Sequence, residues 1–157
     1  MGREIERKFL VRGDDWRQLG AGLLYRQGYL TSGEGCTVRV RVAGERGYLT
    51  IKSATTGISR AEYEYAIPMA EAMELLDTLC QRPLIEKTRY RIPWRTVVWE
   101  VDEFAGENQG LIVAEVELTH PDQPLEVPDW IGEEVSGDPR YFNSNLVKNP
   151  FRNWKPV

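Results

Sequence analysis

The sequence predicts a mainly β (α+β) protein: an eight-stranded antiparallel closed β-barrel with a charged lumen and a few helices packed outside. Eight strand-like runs follow one another, short turns separate several of them, and charges occupy alternate positions in six. Since successive side chains point to opposite faces of a strand, each charged run has one charged face and one mainly apolar face. Repetition over many strands indicates one shared surface that carries both signs.

The strand-like runs account for most of the chain. They lie near 2–11, 23–32, 36–44, 46–53, 60–67, 84–93, 97–105 and 110–119. Gly-rich turn signals at 32–35, 43–47 and 106–110 separate several of them. Connections this short favour hairpins, so the pairing is predicted to be mainly antiparallel.

Helical segments are fewer. Residues 69–81 place Met69, Met73, Leu76 and Cys80 at helical spacing, which predicts a helix with these side chains in the core. Shorter helices are predicted at 14–20, 128–134 and 139–148.

Eight strands make a barrel just wide enough to hold a small ligand. Closing the sheet gathers the charged positions into one lumen and turns the apolar positions outward. The predicted outward set is Val38, Val40, Leu49, Ile51, Tyr63 and Val116. That surface must be covered by helices or by a second copy of the chain, so a homodimer is possible. Because buried charges are costly unless they meet each other, water, a metal or a ligand, the lumen is interpreted as a binding site.

Composition narrows the class of protein. The 157 residues fit a single domain spanning 1–157, and the net charge of −4 with a pI of about 5.2 gives no reason to expect nucleic-acid binding. Cys36 and Cys80 have no metal-ligand spacing and are expected to be reduced. We expect no signal peptide and no membrane contact, and the expected compartment is the cytoplasm.

The acids fall in pairs two residues apart, on one face of their strands. The pairs are Glu4 with Glu6, Glu62 with Glu64, and Glu115 with Glu117. Adjacent carboxylates repel unless a cation lies between them, and Mg²⁺ or Mn²⁺ takes such oxygen ligands together with water and phosphate oxygens. A His-rich zinc site is excluded because His120 is the only histidine.

The bases repeat in the same way along separate strands. They are Lys8, Arg39, Arg41, Lys52, Lys87, Arg89 and Arg91, with Arg60 in phase with the acids of its own strand. So many cations require a ligand with several anionic groups, such as a linear polyphosphate or a nucleoside triphosphate. Any single charged strand is more simply explained as a solvated sheet face. The recurrence over many strands favours metal-assisted phosphoryl transfer.

The ordered motifs resemble the CYTH family of triphosphate tunnel metalloenzymes. The ExExK run at 4–8 is its signature, and the likeness continues at 37–41, 49–52, 60–64, 86–90, 99–104, 114–118 and 137–146. The resemblance implies that the six glutamates lie on the metal side of the tunnel. It implies phosphate binding by Lys8, Arg39, Arg41, Lys52, Lys87 and Arg89, with Arg60, Arg91 and Asp102 as weaker assignments. It also suggests that the segment after Pro139 closes one tunnel mouth.

The resemblance to small bacterial members implies hydrolysis of tripolyphosphate to pyrophosphate and phosphate, with Mg²⁺ or Mn²⁺ as cofactor. Within it we expect Glu4, Glu6, Lys8 and Lys87 to be catalytic. Class IV adenylate cyclase and thiamine triphosphatase are alternative activities of the family. A non-catalytic polyphosphate or nucleotide sensor is a third possibility.

Overall fold

The computed structural model describes residues 2–33 and 35–154, and within them the chain is mainly β. The strands are β1 (Gly2–Val11), β2 (Gly22–Ser32), β3 (Cys36–Ala43), β4 (Arg46–Ser53), β5 (Ser59–Ile67), β6 (Ile85–Trp94), β7 (Val97–Phe104), β8 (Ile112–Glu117) and β9 (Ile131–Glu134). The α-helices are α1 (Met69–Thr78) and α2 (Asn143–Lys148). Short 3-10 turns occupy Asp15–Gln18, Gly106–Asn108, Pro139–Tyr141 and Phe151–Asn153.

Eight of the strands close into an antiparallel barrel. Their order is β5-β4-β3-β2-β6-β7-β8-β1, and β1 pairs with β5 to complete the circle. The predicted barrel is therefore confirmed, and each of the eight predicted strands begins and ends within two residues of the observed one. None of the helices formed by the described residues is long and apolar enough to cross a membrane.

The strand register sets opposite charges beside each other on the lumen side. Lys8 lies opposite Glu115, Lys52 opposite Glu62, and Arg89 opposite Asp102. Side chains that face each other in this way on neighbouring strands are close enough to pair. The alternation seen in the sequence thus becomes a network of contacts between strands.

At one end of the barrel the lumen becomes apolar and is filled by the C-terminal segment. Ile85, Phe104 and Val113 continue the inward-facing positions of their strands beyond the charged residues. Leu146 of α2 is fully buried against them. The predicted helix at 139–148 is thus a 3-10 turn followed by α2, and it closes this end of the tunnel.

The apolar backs of the strands face outward, as predicted, and helices and loops cover part of them. Val40 and Val42 pack against Leu76 of α1. Val116 joins a second buried cluster with Trp16 and Trp99.

Some outward-facing and helical side chains stay in contact with solvent. Ile51 and Tyr63 are partly exposed on β4 and β5. Met69, predicted as a core contact, is also exposed.

α1 ends three residues earlier than predicted because the Gln81 N–H donates to the Tyr29 carbonyl of β2 instead of continuing the helix.

The helix predicted at 128–134 was wrong, because residues Ile131–Glu134 form β9. β1 pairs with β5 only through its first residues, so its farther edge offers unpaired backbone groups. β9 satisfies that edge, and Val135 N–H donates to the Lys8 carbonyl just beyond it. Trp130 and Ile131 are buried against the outer face of the barrel. Burial and edge pairing therefore outweigh local helix preference here.

Candidate active site

All thirteen residues predicted for the site line one continuous tunnel. They are Glu4, Glu6, Lys8, Arg39, Arg41, Lys52, Arg60, Glu62, Glu64, Lys87, Arg89, Glu115 and Glu117. The open mouth encloses about 360 Å³, and the tunnel narrows to a cavity of about 30 Å³ at the end closed by α2. Two weaker assignments differ: Arg91 shares the inward phase of Arg89 but is largely exposed and pairs with Glu100 at the mouth, and Asp102 faces inward but is buried beneath its ion pairs with Lys87 and Arg89.

One group of ion pairs joins β1, β4 and β5 across the tunnel wall. Lys52 Nζ lies 2.8 Å from a Glu4 oxygen and 3.3 Å from Glu62, and Arg60 Nε lies 3.6 Å from Glu4. Nearby, Thr50 donates to Glu64 at 2.9 Å and accepts from Arg39 at 3.2 Å. The bases of these strands are therefore held in place by the acids beside them.

A second group of ion pairs is centred on Asp102, which is almost completely buried. Arg89 donates to both of its oxygens, at 2.7 and 2.8 Å, and Lys87 donates to one at 2.7 Å. Glu115 lies 3.4 Å from Arg89 and 3.9 Å from Lys8. Asp102, whose carboxylate is covered by these cations, thus orients two of the proposed phosphate-binding side chains.

Arg41 differs from the other lumen bases because no carboxylate of the described residues lies within ion-pair distance of it. Its Nε donates to Gln27 at 2.9 Å, and its guanidinium stacks on Tyr25. Burial, followed by the charges of Arg39 and Arg89, lowers the pKa of Arg41 to about 10. Positive charge is therefore concentrated around Arg41 and is available to an anion.

The lysines nearby show the same excess of positive charge. Burial lowers the pKa of Lys87 to about 7; the charge of Asp102 acts in the opposite direction, and the charges of Arg89 and Arg41 lower the pKa further. Burial and the charge of Arg39 also lower the pKa of Lys52, although Glu4 acts in the opposite direction.

The acids divide into two kinds by the charges that surround them. Burial, then the charges of Glu115 and Glu4, raise the pKa of Glu6 well above its ordinary value. Burial would also raise the pKa of Glu4, but the nearby cations and a hydrogen bond with Glu6 lower it to about 2. Glu117 has a raised pKa through burial and the charges of Glu4 and Glu62. Negative charge is thus only partly neutralised around Glu6 and Glu117.

These acids have the chemistry that a hard divalent cation requires. All are carboxylates, and one buried oxygen of Glu4 accepts no hydrogen bond from the described part of the chain, although Lys52 lies 2.8 Å away. In residues 2–33 and 35–154, no three acidic, His or Cys side chains are grouped closely enough to hold a metal ion alone. The set fits Mg²⁺ or Mn²⁺, which commonly combine one or two carboxylates with water and substrate oxygens.

Several lumen contacts were not predicted from the sequence. Gln27, Thr50 and Asn143 are uncharged, so a search for alternating charges does not find them, yet each contacts a lumen base. Gln27 and Thr50 do share the phase of charged or aromatic neighbours on their strands. Asn143 lies on α2 and carries no signal of that kind.

Comparison with known proteins gives a consistent result. A profile described as the CYTH domain matches residues 2–145. An inorganic triphosphatase of Acetivibrio thermocellus is 57% identical over 155 residues, covering 99% of both chains. An inorganic triphosphatase of Nitrosomonas europaea is 40% identical over 92% of this chain and 96% of its own. A crystal structure of an inorganic triphosphatase superposes with a TM-score of 0.62 at 35% identity, covering 91% of this chain and 96% of that one.

Proposed function

This chain belongs to the CYTH domain family, and we propose that it is a metal-dependent inorganic triphosphatase acting on tripolyphosphate. The observation that carries the proposal is Arg41, a partly buried cation of the tunnel that feels the charges of Arg39 and Arg89 and has no carboxylate partner in the described chain. An anion with several charged groups relieves this repulsion. Both full-length relatives are named inorganic triphosphatases, which supports tripolyphosphate as the substrate in preference to an organic triphosphate.

We propose that the bases bind the chain of phosphates along the tunnel. The set is Lys8, Arg39, Arg41, Lys52, Arg60, Lys87 and Arg89. Arginine forks match phosphate oxygens in pairs, whereas lysines act as point charges. Binding also places the reacting phosphoryl group in an enclosed, cation-lined space, where electrostatic stabilisation of the transition state is strong.

We propose that the six lumen glutamates form the metal side, with Glu4 and Glu6 closest to the reaction. When bound, Mg²⁺ or Mn²⁺ would offset the charge of the phosphates and lower the pKa of a water molecule. Water then attacks a terminal phosphorus, the P–O bond to the leaving group breaks, and the products are phosphate and pyrophosphate. Lys8 and Lys87 would stabilise the charge that develops on the phosphoryl oxygens.

The proposal also extends to the domain organisation, the compartment and the oligomeric state. Residues 1–157 would act as one tunnel domain. Cys36 and Cys80 are both free, which suits a reducing compartment such as the cytoplasm. The possible homodimer stays a prediction, and light scattering of the purified chain tests it.

Phosphate release from tripolyphosphate tests the function, measured with Mg²⁺, with Mn²⁺ and with a chelator. ATP, thiamine triphosphate and pyrophosphate form the comparison panel, with chromatography for cyclic AMP. Faster hydrolysis of tripolyphosphate than of the others, and only with metal, is expected. Tight binding without any product would instead identify a sensor, and cyclic AMP formation would identify a cyclase.

Matched substitutions test the roles of the residues. Arg41→Ala should lower kcat/KM at least about a hundredfold, as expected for loss of a transition-state contact. Arg95→Ala, which removes an exposed arginine that pairs with Glu126 away from the tunnel lining, should change it less than about threefold. Glu6→Gln should raise the metal concentration needed for half-maximal turnover, while Glu71→Gln on the exposed side of α1 should not. Equal effects within either pair would reject the assignment.

A further inference from the structure

A chain of hydrogen bonds crosses the closed end of the tunnel and ends on α2. Arg41 Nε donates to Gln27 Oε1 at 2.9 Å, and Gln27 Nε2 donates to Asn143 Oδ1 at 3.2 Å. Lys87 Nζ donates to the same Asn143 oxygen at 3.0 Å. Asn143 is therefore linked to Lys87 directly and to Arg41 through Gln27.

The two donors determine how the Asn143 amide is oriented. A lysine ammonium has donors and no acceptor, so only the amide oxygen can face Lys87. Gln27 independently requires the Asn143 oxygen to face it. The Gln27 oxygen already accepts from Arg41, so only the Gln27 NH₂ group remains to donate to Asn143. The Asn143 oxygen is thus committed to protein partners, and its Nδ2 group is left over.

That Nδ2 group has no hydrogen-bond acceptor among the residues that the structure describes. Asn143 lines the narrow cavity at the closed end together with Lys8, Arg39 and Lys87. An amide is a neutral donor, so it adds a hydrogen bond there without adding repulsion to the crowded cations. A ligand that supplies oxygen acceptors at this end would complete the hydrogen bonding of the amide.

We propose that Asn143 is a substrate-binding residue that donates from Nδ2 to a phosphoryl oxygen of tripolyphosphate at the closed end of the tunnel. The proposal rests on the proposed function, because it assumes that this polyphosphate occupies the lumen. It makes α2 part of the phosphate site as well as the element that closes the barrel.

Two substitutions separate direct contact from indirect positioning. Asn143→Asp keeps an oxygen for Gln27 and Lys87 but replaces the free donor by a negative oxygen. Asn143→Ala removes both groups. If Asn143 donates directly to the substrate, Asn143→Asp should bind tripolyphosphate more weakly than Asn143→Ala. If Asn143 only positions Lys87, Asn143→Ala should bind it more weakly than Asn143→Asp.

The readout is the dissociation constant of tripolyphosphate, measured by titration calorimetry in the presence of a chelator, alongside kcat and KM with metal. We expect Asn143→Ala to weaken binding about tenfold and Asn143→Asp at least about a hundredfold, as for hydrogen bonds to a charged ligand. Asn145→Asp places the same charge two residues further on, where Asn145 donates to Pro139 outside the lumen. It should weaken binding less than about threefold.

The outcomes are distinct. The proposal would be overturned if Asn143→Ala bound tripolyphosphate more weakly than Asn143→Asp, or if Asn143→Asp and Asn145→Asp lost equal affinity. Either result would leave the triphosphatase assignment intact. A wild-type protein that binds but does not hydrolyse tripolyphosphate would overturn the assigned activity and leave the binding order testable. Unfolding midpoints of each variant are measured first. If Asn143→Asp does not fold, Asn143→Ala compared with Asn145→Ala decides, and equal affinities reject the contact.

Discussion

Replacing Lys87 by methionine should remove activity without destabilising the fold. Lys87 is almost completely buried, and burial together with Arg89 and Arg41 lowers its pKa from 10.5 to about 7. Its partners do not depend on it: Asp102 keeps two hydrogen bonds from Arg89, and Asn143 keeps one from Gln27. The substitution therefore leaves no buried acceptor without a donor.

The lowered pKa sets the size of the effect. Each tenfold change in proton affinity corresponds to about 1.4 kcal/mol, so the lysine charge opposes folding by at most about 5 kcal/mol below pH 7. Removing one partner of a buried ion pair costs about 3–5 kcal/mol when the other charge is left unpaired, but here Asp102 keeps its two hydrogen bonds from Arg89. We expect the free energy of unfolding of Lys87→Met at pH 7 to equal or exceed that of the wild type.

The pH dependence has a definite sign. Between pH 7 and 10.5 the unfolded chain binds a proton at Lys87 that the folded chain does not, so raising the pH stabilises the wild type. Below pH 7 both states are protonated, and this contribution no longer changes. The stability advantage of Lys87→Met should therefore be largest at or below pH 7 and should shrink as the pH rises toward 10.

Urea unfolding from pH 6 to 10, in buffers free of metal and phosphate, measures this difference. Lys148→Met on α2 is the control for loss of an exposed lysine and should stay within about 0.5 kcal/mol of the wild type. Tripolyphosphate hydrolysis by Lys87→Met should fall at least about a hundredfold. If the variant is less stable than the wild type by more than about 2 kcal/mol at pH 7, or its advantage grows with pH, the reasoning is refuted.

Three further predictions concern the wall, the acids and the core. Asp102→Asn should lower the free energy of unfolding by about 3–5 kcal/mol, because buried Lys87 loses its carboxylate and Arg89 keeps only the longer contacts with Glu115 and Glu100; urea unfolding with an unchanged midpoint would contradict this. Glu6→Gln should raise the Mg²⁺ or Mn²⁺ concentration for half-maximal turnover at least about tenfold, and an unchanged metal titration would remove Glu6 from the metal set. Leu76→Ala, at a fully buried position on α1, should cost about 2–5 kcal/mol in thermal unfolding while kcat stays near the wild-type value.

The barrel and its charged lumen were predictable because both follow from a local rule. Side chains alternate strictly along a strand, so Glu4, Glu6 and Lys8 had to share a face wherever β1 lay. Short turns predicted the antiparallel pairing. These features need no knowledge of distant contacts, and the structure confirms them.

The parts that were not predicted depend on distant contacts. β9 exists because the far edge of β1 is unpaired, which no local pattern in 128–134 reveals. The role of Asp102 depends on the register that sets it opposite Arg89, and Asn143 reaches the lumen only because α2 packs into the barrel end. Uncharged residues that complete such networks are found from the fold and not from periodicity.

The position of β1 has a consequence for synthesis of the protein. β1 leaves the ribosome before the other described strands, yet its partners β5, β8 and β9 come from the middle and the last third of these residues. β1 must therefore wait for about fifty residues to be translated before β5 follows and for about a hundred before β8 does, and pairing over such separations is slow. Alternating charges on that waiting strand disfavour premature association with other nascent chains. The same glutamates and lysine that we place at the centre of the reaction would then also protect the unfinished polypeptide from aggregation.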